Sequence, residues 1–343
     1  MMRRKHFLSS VAALAGGALL PACAAVRPQA AREPAVKRPP WLKPGDTIAI
    51  TSPAGAITLD ALKPATSLLE SWGYRVRIGE SIGKKDFSFG GTDAERGADL
   101  QALLDDPSVS AILCARGGYG SVRIVDGLRW ERFKKAPKWV IGFSDITVLH
   151  SHIHRHCGVA TLHSKMCNSF PDDWVNTDPV RRATILSIKA ALEGAPMDQQ
   201  APAHPQHRAG TAEGPLVGGN LRILENLAGT PSDISTMGKI LFVEDTGEYL
   251  YSIDRMFENL RRSGKLAGLA GLIVGGMKVK PDDAGEEFGR TVPDIVLQKT
   301  KDYSFPICFD FPVGHQPANF ALKCGLPHHL TVAADGTRLT DLP

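Results

Sequence analysis

The sequence is sparing with cysteine: six occur in 343 residues, and none stands in a Cys-x-x-Cys pair. Beyond Cys23 the five others (Cys114, Cys157, Cys167, Cys308 and Cys324) are odd in number and widely spaced, which argues against a zinc knuckle or a disulfide framework. Most read as small buried hydrophobes, and spacing does not locate a disulfide. Excess charge is also scarce. The net charge is +4, with the basic residues scattered along the chain, so nothing points to a nucleic-acid partner. Neither Gly-Lys-Ser/Thr nor Gly-x-Gly-x-x-Gly occurs where a phosphate loop would need it, and there is no His-Glu-x-x-His. No internal repeat or low-complexity tract is present. The one long apolar run, residues 7–20, is too short and too rich in Gly and Ala to read as a membrane span.

That run has a different meaning. Arg3, Arg4 and Lys5 precede it and the small residues Ala22-Cys23-Ala24-Ala25 follow it, which is the layout of an export signal. Arg4-Lys5-His6-Phe7-Leu8 varies the twin-arginine pattern. Leu20-Pro21-Ala22-Cys23 looks like a lipobox with an unusual Pro21, so lipidation of Cys23 stays open. The expected location is the periplasm, free or tethered through Cys23 to a membrane.

After a Pro-rich linker, short apolar runs alternate with helical spacing. Strands are expected near residues 47–51, 74–78, 111–115 and 139–143, and helices near 59–72, 93–104 and from Ser121. Thr92 and Glu95 form a capping-box pattern. Strands that are apolar throughout and alternate with helices indicate a parallel sheet covered on both faces. Length favours two domains. The expected division is an export signal over 1–25, a linker over 26–43, a first α/β domain over 44–167, a polar connection over 168–210 with a helical piece near 181–192, and a second, smaller α/β domain over 211–343.

The sharpest local feature is Ala115-Arg116-Gly117-Gly118-Tyr119-Gly120-Ser121. A strand enters it and a helix leaves it, the setting in which a turn presents a serine hydroxyl at the carboxyl edge of a sheet. The Gly-x-Ser-x-Gly match is incomplete, and Ser121 reads equally well as a helix N-cap. A serine nucleophile needs a base and an orienting acid. His150, His152, His154 and His156 fall at alternate helix positions, where only i,i+4 pairs converge and no acidic residue accompanies them, and read as solvated or partly buried. His315, after an expected strand over 306–311, stands at a strand-to-loop junction where catalytic side chains are usually presented. Leu241-Phe242-Val243-Glu244-Asp245 ends an apolar strand in two acids, costly unless paired or functional. Either Glu244 is the acid, or the pair does structural work, with Asp245 capping the next helix.

Taken together these sites resemble the LD-carboxypeptidase family of serine peptidases, which includes microcin-immunity hydrolases. The resemblance runs over residues 44–340. Its pieces are Ser52-Pro53, Gly91-Thr92, Glu95-Arg96, Asp99-Leu100, the Arg116 to Gly120 turn, Gly142-Phe143-Ser144-Asp145-Ile146-Thr147, Gly218-Gly219-Asn220-Leu221, Glu244-Asp245, Ile253-Asp254-Arg255-Met256 and Gly314-His315. The resemblance implies a flavodoxin-like first domain, a homodimer, no metal or cofactor, and a triad of Ser121, Glu244 and His315. The Val122 N–H would serve as oxyanion donor. The reaction implied is release of the terminal D-Ala from a murein tetrapeptide. Arg116, Ser144 and Asp145 are candidate substrate contacts, Arg116 being equally readable as a structural ion pair. The alternatives are hydrolysis of peptide–nucleotide conjugates and a non-catalytic muropeptide-binding protein. The chain departs from the family at His163-Ser164-Lys165, at Lys323-Cys324 and in carrying an export signal, since murein recycling is typically cytoplasmic.

Overall fold

The computed structural model describes residues 36–342, so the export signal, the lipobox and part of the linker lie outside the described residues. Those described fall within one compact unit. Thirteen strands are described: β1 (Thr47–Thr51), β2 (Arg75–Ile78), β3 (Ala111–Cys114), β4 (Trp139–Gly142), β5 (Thr161–His163), β6 (Asp198–Pro202), β7 (Gly210–Asn220), β8 (Ile240–Glu248), β9 (Gly271–Val279), β10 (Ile307–Cys308), β11 (Leu322–Cys324), β12 (Pro327–Ala333) and β13 (Gly336–Asp341).

The first sheet has the order β11-β5-β4-β3-β1-β2. Its five consecutive parallel strands, 2-1-3-4-5, follow the flavodoxin-like winding, which places binding crevices at the carboxyl ends of the strands. Successive side chains point to opposite faces. Ile48 and Ile50 therefore join Leu68, Leu69 and Ile188 in one core, while Ala49 joins Leu100, Leu104 and Val148 in another. Each fully buried Leu or Ile contributes about 2 kcal/mol. β3 and β4 are buried at every position, as apolar strands covered on both faces must be.

The second sheet has seven strands, β10-β9-β8-β7-β12-β13-β6. Its parallel part, β7 to β10, is packed by helices Leu250–Arg262 and Val292–Lys299, and β12, β13 and β6 extend it as antiparallel strands. Four features differ from the sequence reading. Residues 168–210 are more than a connection: besides the helix expected near 181–192, which runs over Pro179–Leu192, they hold the edge strand β6, whose sequence Asp-Gln-Gln-Ala-Pro is polar because only Ala201 is buried. Conversely, β11 leaves the second half of the chain to pair antiparallel with β5 in the first sheet. The helix expected from Ser121 is a single turn, Ser121–Ile124, and the strand expected over 306–311 is confined to β10.

The loops at the carboxyl edge of the first sheet are tied by side chains buried beneath them. The Thr92–Glu95 capping box forms as expected and starts helix Asp93–Asp105. From that helix, buried Arg96 donates to the carbonyls of Gly91 (3.1 Å), Pro53 and Gly120 (3.0 Å). Asp99 accepts from Thr51 Oγ1 (2.7 Å) and from the N–H groups of Glu80 (2.9 Å) and Ser81 (3.1 Å). Carboxylates and guanidinium groups make the stronger class of hydrogen bond, so these two residues hold the edge loops rigid. Cys114, Cys157, Cys167, Cys308 and Cys324 are buried and unpaired.

Candidate active site

β4 ends at Gly142, and the chain turns through Phe143 and Ser144 into a helical run beginning at Ser144. Ser144 has φ 62°, a left-handed conformation uncommon for a non-glycine residue and a mark of stored functional strain. A Cβ at Gly142 would lie 2.9 Å from Ile146 Cγ1, so only glycine lets the strand turn this tightly into the helix. Strand, sharp turn, strained serine and helix are the parts of a nucleophile elbow.

Two strand ends of the second sheet converge on Ser144. Glu244 lies in β8 where the β8–β9 register shifts between Val243 and Asp245, and such a bulge re-aims a side chain. Its carboxylate is fully buried. Oε2 accepts from His315 Nδ1 at 2.6 Å and from the His315 N–H at 3.2 Å. A carboxylate can only accept, so the neutral imidazole carries its proton on Nδ1 and presents a bare Nε2. That Nε2 lies 3.1 Å from Ser144 Oγ, so the hydroxyl donates to it. The His315 loop is braced on three sides. Asn319 Oδ1 accepts from the Gly314 N–H at 2.9 Å, Gln316 Nε2 donates to the Phe311 carbonyl at 2.8 Å, and Phe143 packs its ring 4.9 Å from the imidazole. Gly314 is required, because it has φ 104° and a Cβ there would stand 2.4 Å from Glu244 Cβ.

The two halves are locked behind this constellation. Thr147 Oγ1 accepts from the Asn220 N–H at 3.0 Å, and a Cβ at Gly219 would lie 2.3 Å from that oxygen. Lys165, in the His163-Ser164-Lys165 departure, donates to the Pro317 carbonyl at 2.7 Å and so ties the first sheet to the His315 loop. Burial lowers its pKa.

His315 and Glu244 therefore meet as expected, but the serine they meet is Ser144. Ser121 is fully buried, its Oγ has no hydrogen-bond partner, and its backbone N–H donates to Asp145 Oδ2 at 2.8 Å. The Gly-rich turn takes up a supporting position: a Cβ at Gly117 would lie 3.1 Å from Ser144 Cβ. Val122 follows Ser121 in its one-turn helix and is not the residue after Ser144. Asp145 is buried and holds Ser121, which leaves it no free surface for substrate. Its pKa is raised by burial and held down in part by the Ser121 and Gly120 N–H groups. Arg116 is exposed and donates to the Ala56 carbonyl at 3.2 Å. Asp245 does not cap the following helix. It accepts from Asn220 Nδ2 (3.0 Å) and the Arg222 N–H (2.9 Å), and burial raises its pKa to about 6.

Of the four alternating histidines, His156 is exposed, while His150, His152 and His154 are buried more fully than a solvated or partly buried reading expects. Burial pushes His150 down to about 4 and His163 well below its ordinary value. Each folded-state pKa lies under the unfolded value of about 6.5. Their contribution to stability is therefore complete above about pH 6.5 and is lost as pH falls towards the folded values. Unfolding by urea should show stability falling by about 1 kcal/mol from these two residues between pH 7 and pH 6. Below about pH 6, protonation of Asp245 acts in the opposite sense. A flat or rising urea midpoint from pH 7 to 6 would contradict this.

The parallel sheet, the strained serine at a strand-to-helix turn and the Ser–His–Glu chain of contacts are those of a serine hydrolase. The profile described as LD-carboxypeptidase N-terminal domain matches residues 48–164, and that described as LD-carboxypeptidase C-terminal domain matches 213–330. A probable murein peptide carboxypeptidase of Bacillus subtilis is 38% identical over 246 residues, covering 69% of this chain and 74% of its own. The murein tetrapeptide carboxypeptidase of Pseudomonas aeruginosa is 31% identical over 307 residues, covering 87% of this chain and 96% of its own. The crystal structure of muramoyltetrapeptide carboxypeptidase from Oxalobacter formigenes superposes with a TM-score of 0.76 at 27% identity, covering 87% and 99%. The chain is a serine-type carboxypeptidase. It belongs to the LD-carboxypeptidase family.

Proposed function

We propose that the protein releases the terminal D-Ala from murein tetrapeptides, with Ser144 as nucleophile, His315 as base and Glu244 as orienting acid. The observation that carries this reading is the contact of Ser144 Oγ, at 3.1 Å, with Nε2 of an imidazole whose other nitrogen is held at 2.6 Å by Glu244. His315 takes the Ser144 proton as Oγ attacks the carbonyl of the L,D-amide. The Asp145 N–H, next after the nucleophile at a helix start, and the Gly117 N–H beside it are the proposed oxyanion donors. Collapse of the tetrahedral species transfers the His315 proton to the leaving amine and frees D-Ala. Water, deprotonated by the same imidazole, then hydrolyses the acyl-enzyme.

The basic-then-apolar start of the chain supports action outside the cytoplasm, on wall-derived peptides. Purified tetrapeptide incubated with the enzyme should yield tripeptide and one equivalent of D-Ala, read by mass spectrometry. Intact tetrapeptide alongside cleavage of an acyl-sulfamoyl nucleotide would replace this reading with the conjugate hydrolase.

A further inference from the structure

Beside the Ser144–His315 pair a cleft of about 800 Å³ opens between the loop carrying Gly83 to Ser88 and the segment Cys167 to Arg181. Its position follows from two chain connections. Arg116 lines it, and the next residue, Gly117, packs on Ser144. Cys167 lines it, and the preceding Met166 also packs at Gly117, its Cε 3.3 Å from where a Gly117 Cβ would stand. The cleft thus adjoins the reacting serine without including it.

The wall is strongly one-signed. Lys84, Lys85, Arg116 and Arg181 line it against a single acid, Asp172. Lys84 is compensated by Glu95 at 3.1 Å. Arg181 spends its Nε on the Ser169 carbonyl at 3.0 Å but keeps its charge. Fixed cations collected in a concave wall favour an anionic ligand, and a guanidinium fork suits a carboxylate. The rim carries Phe87, 86% exposed with φ 52°.

Size decides which part of a peptide the cleft can take. A carboxypeptidase releases one residue, and a space of this volume is far larger than an alanine; it is in the range that holds an extended ligand. We propose that the cleft is the subsite for the acyl-side arm of the substrate, and that it selects arms whose carboxylates are free over the same arms amidated. The inference rests on the peptide-hydrolase reading above. Amidation removes the charge while keeping the shape, so the discrimination is electrostatic and weakens with salt.

The test compares a tetrapeptide with free acyl-side carboxylates to the same peptide with those groups as primary amides. D-Ala release by the full chain should favour the acid form by about tenfold or more in kcat/KM at low salt, the scale of a charged hydrogen bond. Lys85→Gln/Arg116→Gln should bring the ratio to within about twofold, and Lys85→Gln alone, at an exposed position, should give an intermediate ratio. Calorimetry of both peptides on Ser144→Ala reads the same preference without turnover. Equal handling of both peptides by the wild type, or a preference that survives in both variants, overturns the subsite and leaves the hydrolase reading intact. No D-Ala release from either peptide, with tight acid-selective binding to Ser144→Ala, overturns the hydrolase reading and keeps the subsite.

Discussion

Replacing Ser144 with alanine is expected to lower kcat by about a millionfold, the scale on which removing the nucleophile of a serine hydrolase acts. Binding of the peptide should persist, because the hydroxyl is needed for attack rather than for holding the substrate. Ser121→Ala is the decisive companion. The Ser121 hydroxyl is buried with no hydrogen-bond partner, and the bond to Asp145 comes from its backbone N–H, which alanine retains. Turnover by Ser121→Ala should therefore stay within a few-fold of wild type. Single-turnover D-Ala release by the two variants reads both outcomes. A dead Ser121→Ala with an active Ser144→Ala would reverse the assignment.

Glu244→Gln should separate activity from stability. The carboxylate holds Nδ1–H of His315 and offsets the charge the imidazole acquires when it takes the serine proton. Loss of that charge at comparable geometry costs a triad about 10⁴-fold in kcat. The same group is a burden on the fold. It is fully buried, its Oε1 has no partner among the described residues, and a buried carboxylate carries a desolvation cost that a neutral amide avoids. The melting temperature of Glu244→Gln should consequently equal or exceed that of the wild type. A variant that keeps more than about a tenth of wild-type kcat would remove Glu244 from the triad.

Much of the scaffold was readable because its signals are local. The capping box at Thr92 and Glu95 depends on two residues three apart, and it formed as written. The buried strands β3 and β4 announced themselves as continuous apolar runs, since both their faces are covered. β6 did not, because a polar edge strand with one buried side chain has neither alternation nor an apolar run. The antiparallel pairing of β11 with β5 joins residues about 160 apart in the chain, and no local pattern encodes it.

At the site, residue types and their order along the chain already showed a hydrolase with an acid and an imidazole at strand ends, because such chemistry needs those groups in loops at a sheet edge. Glu244 and His315 stood out for that reason. The serine was the exception. Gly117, Gly118 and Gly120 drew attention to Ser121, yet Gly142-Phe143-Ser144 after an apolar strand carried the better elbow spacing. Glycines mark close backbone approach, and here the approach is of Gly117 to Ser144 and of Gly55 to the Gly117 carbonyl. The turn is glycine-rich because another residue's nucleophile packs against it. Sequence alone thus determined the kind of chemistry and the scaffold that presents it. Which hydroxyl meets the imidazole was decided only by the tertiary structure, since that contact joins residues 171 apart, and a hydrogen bond is set by position in space rather than along the chain.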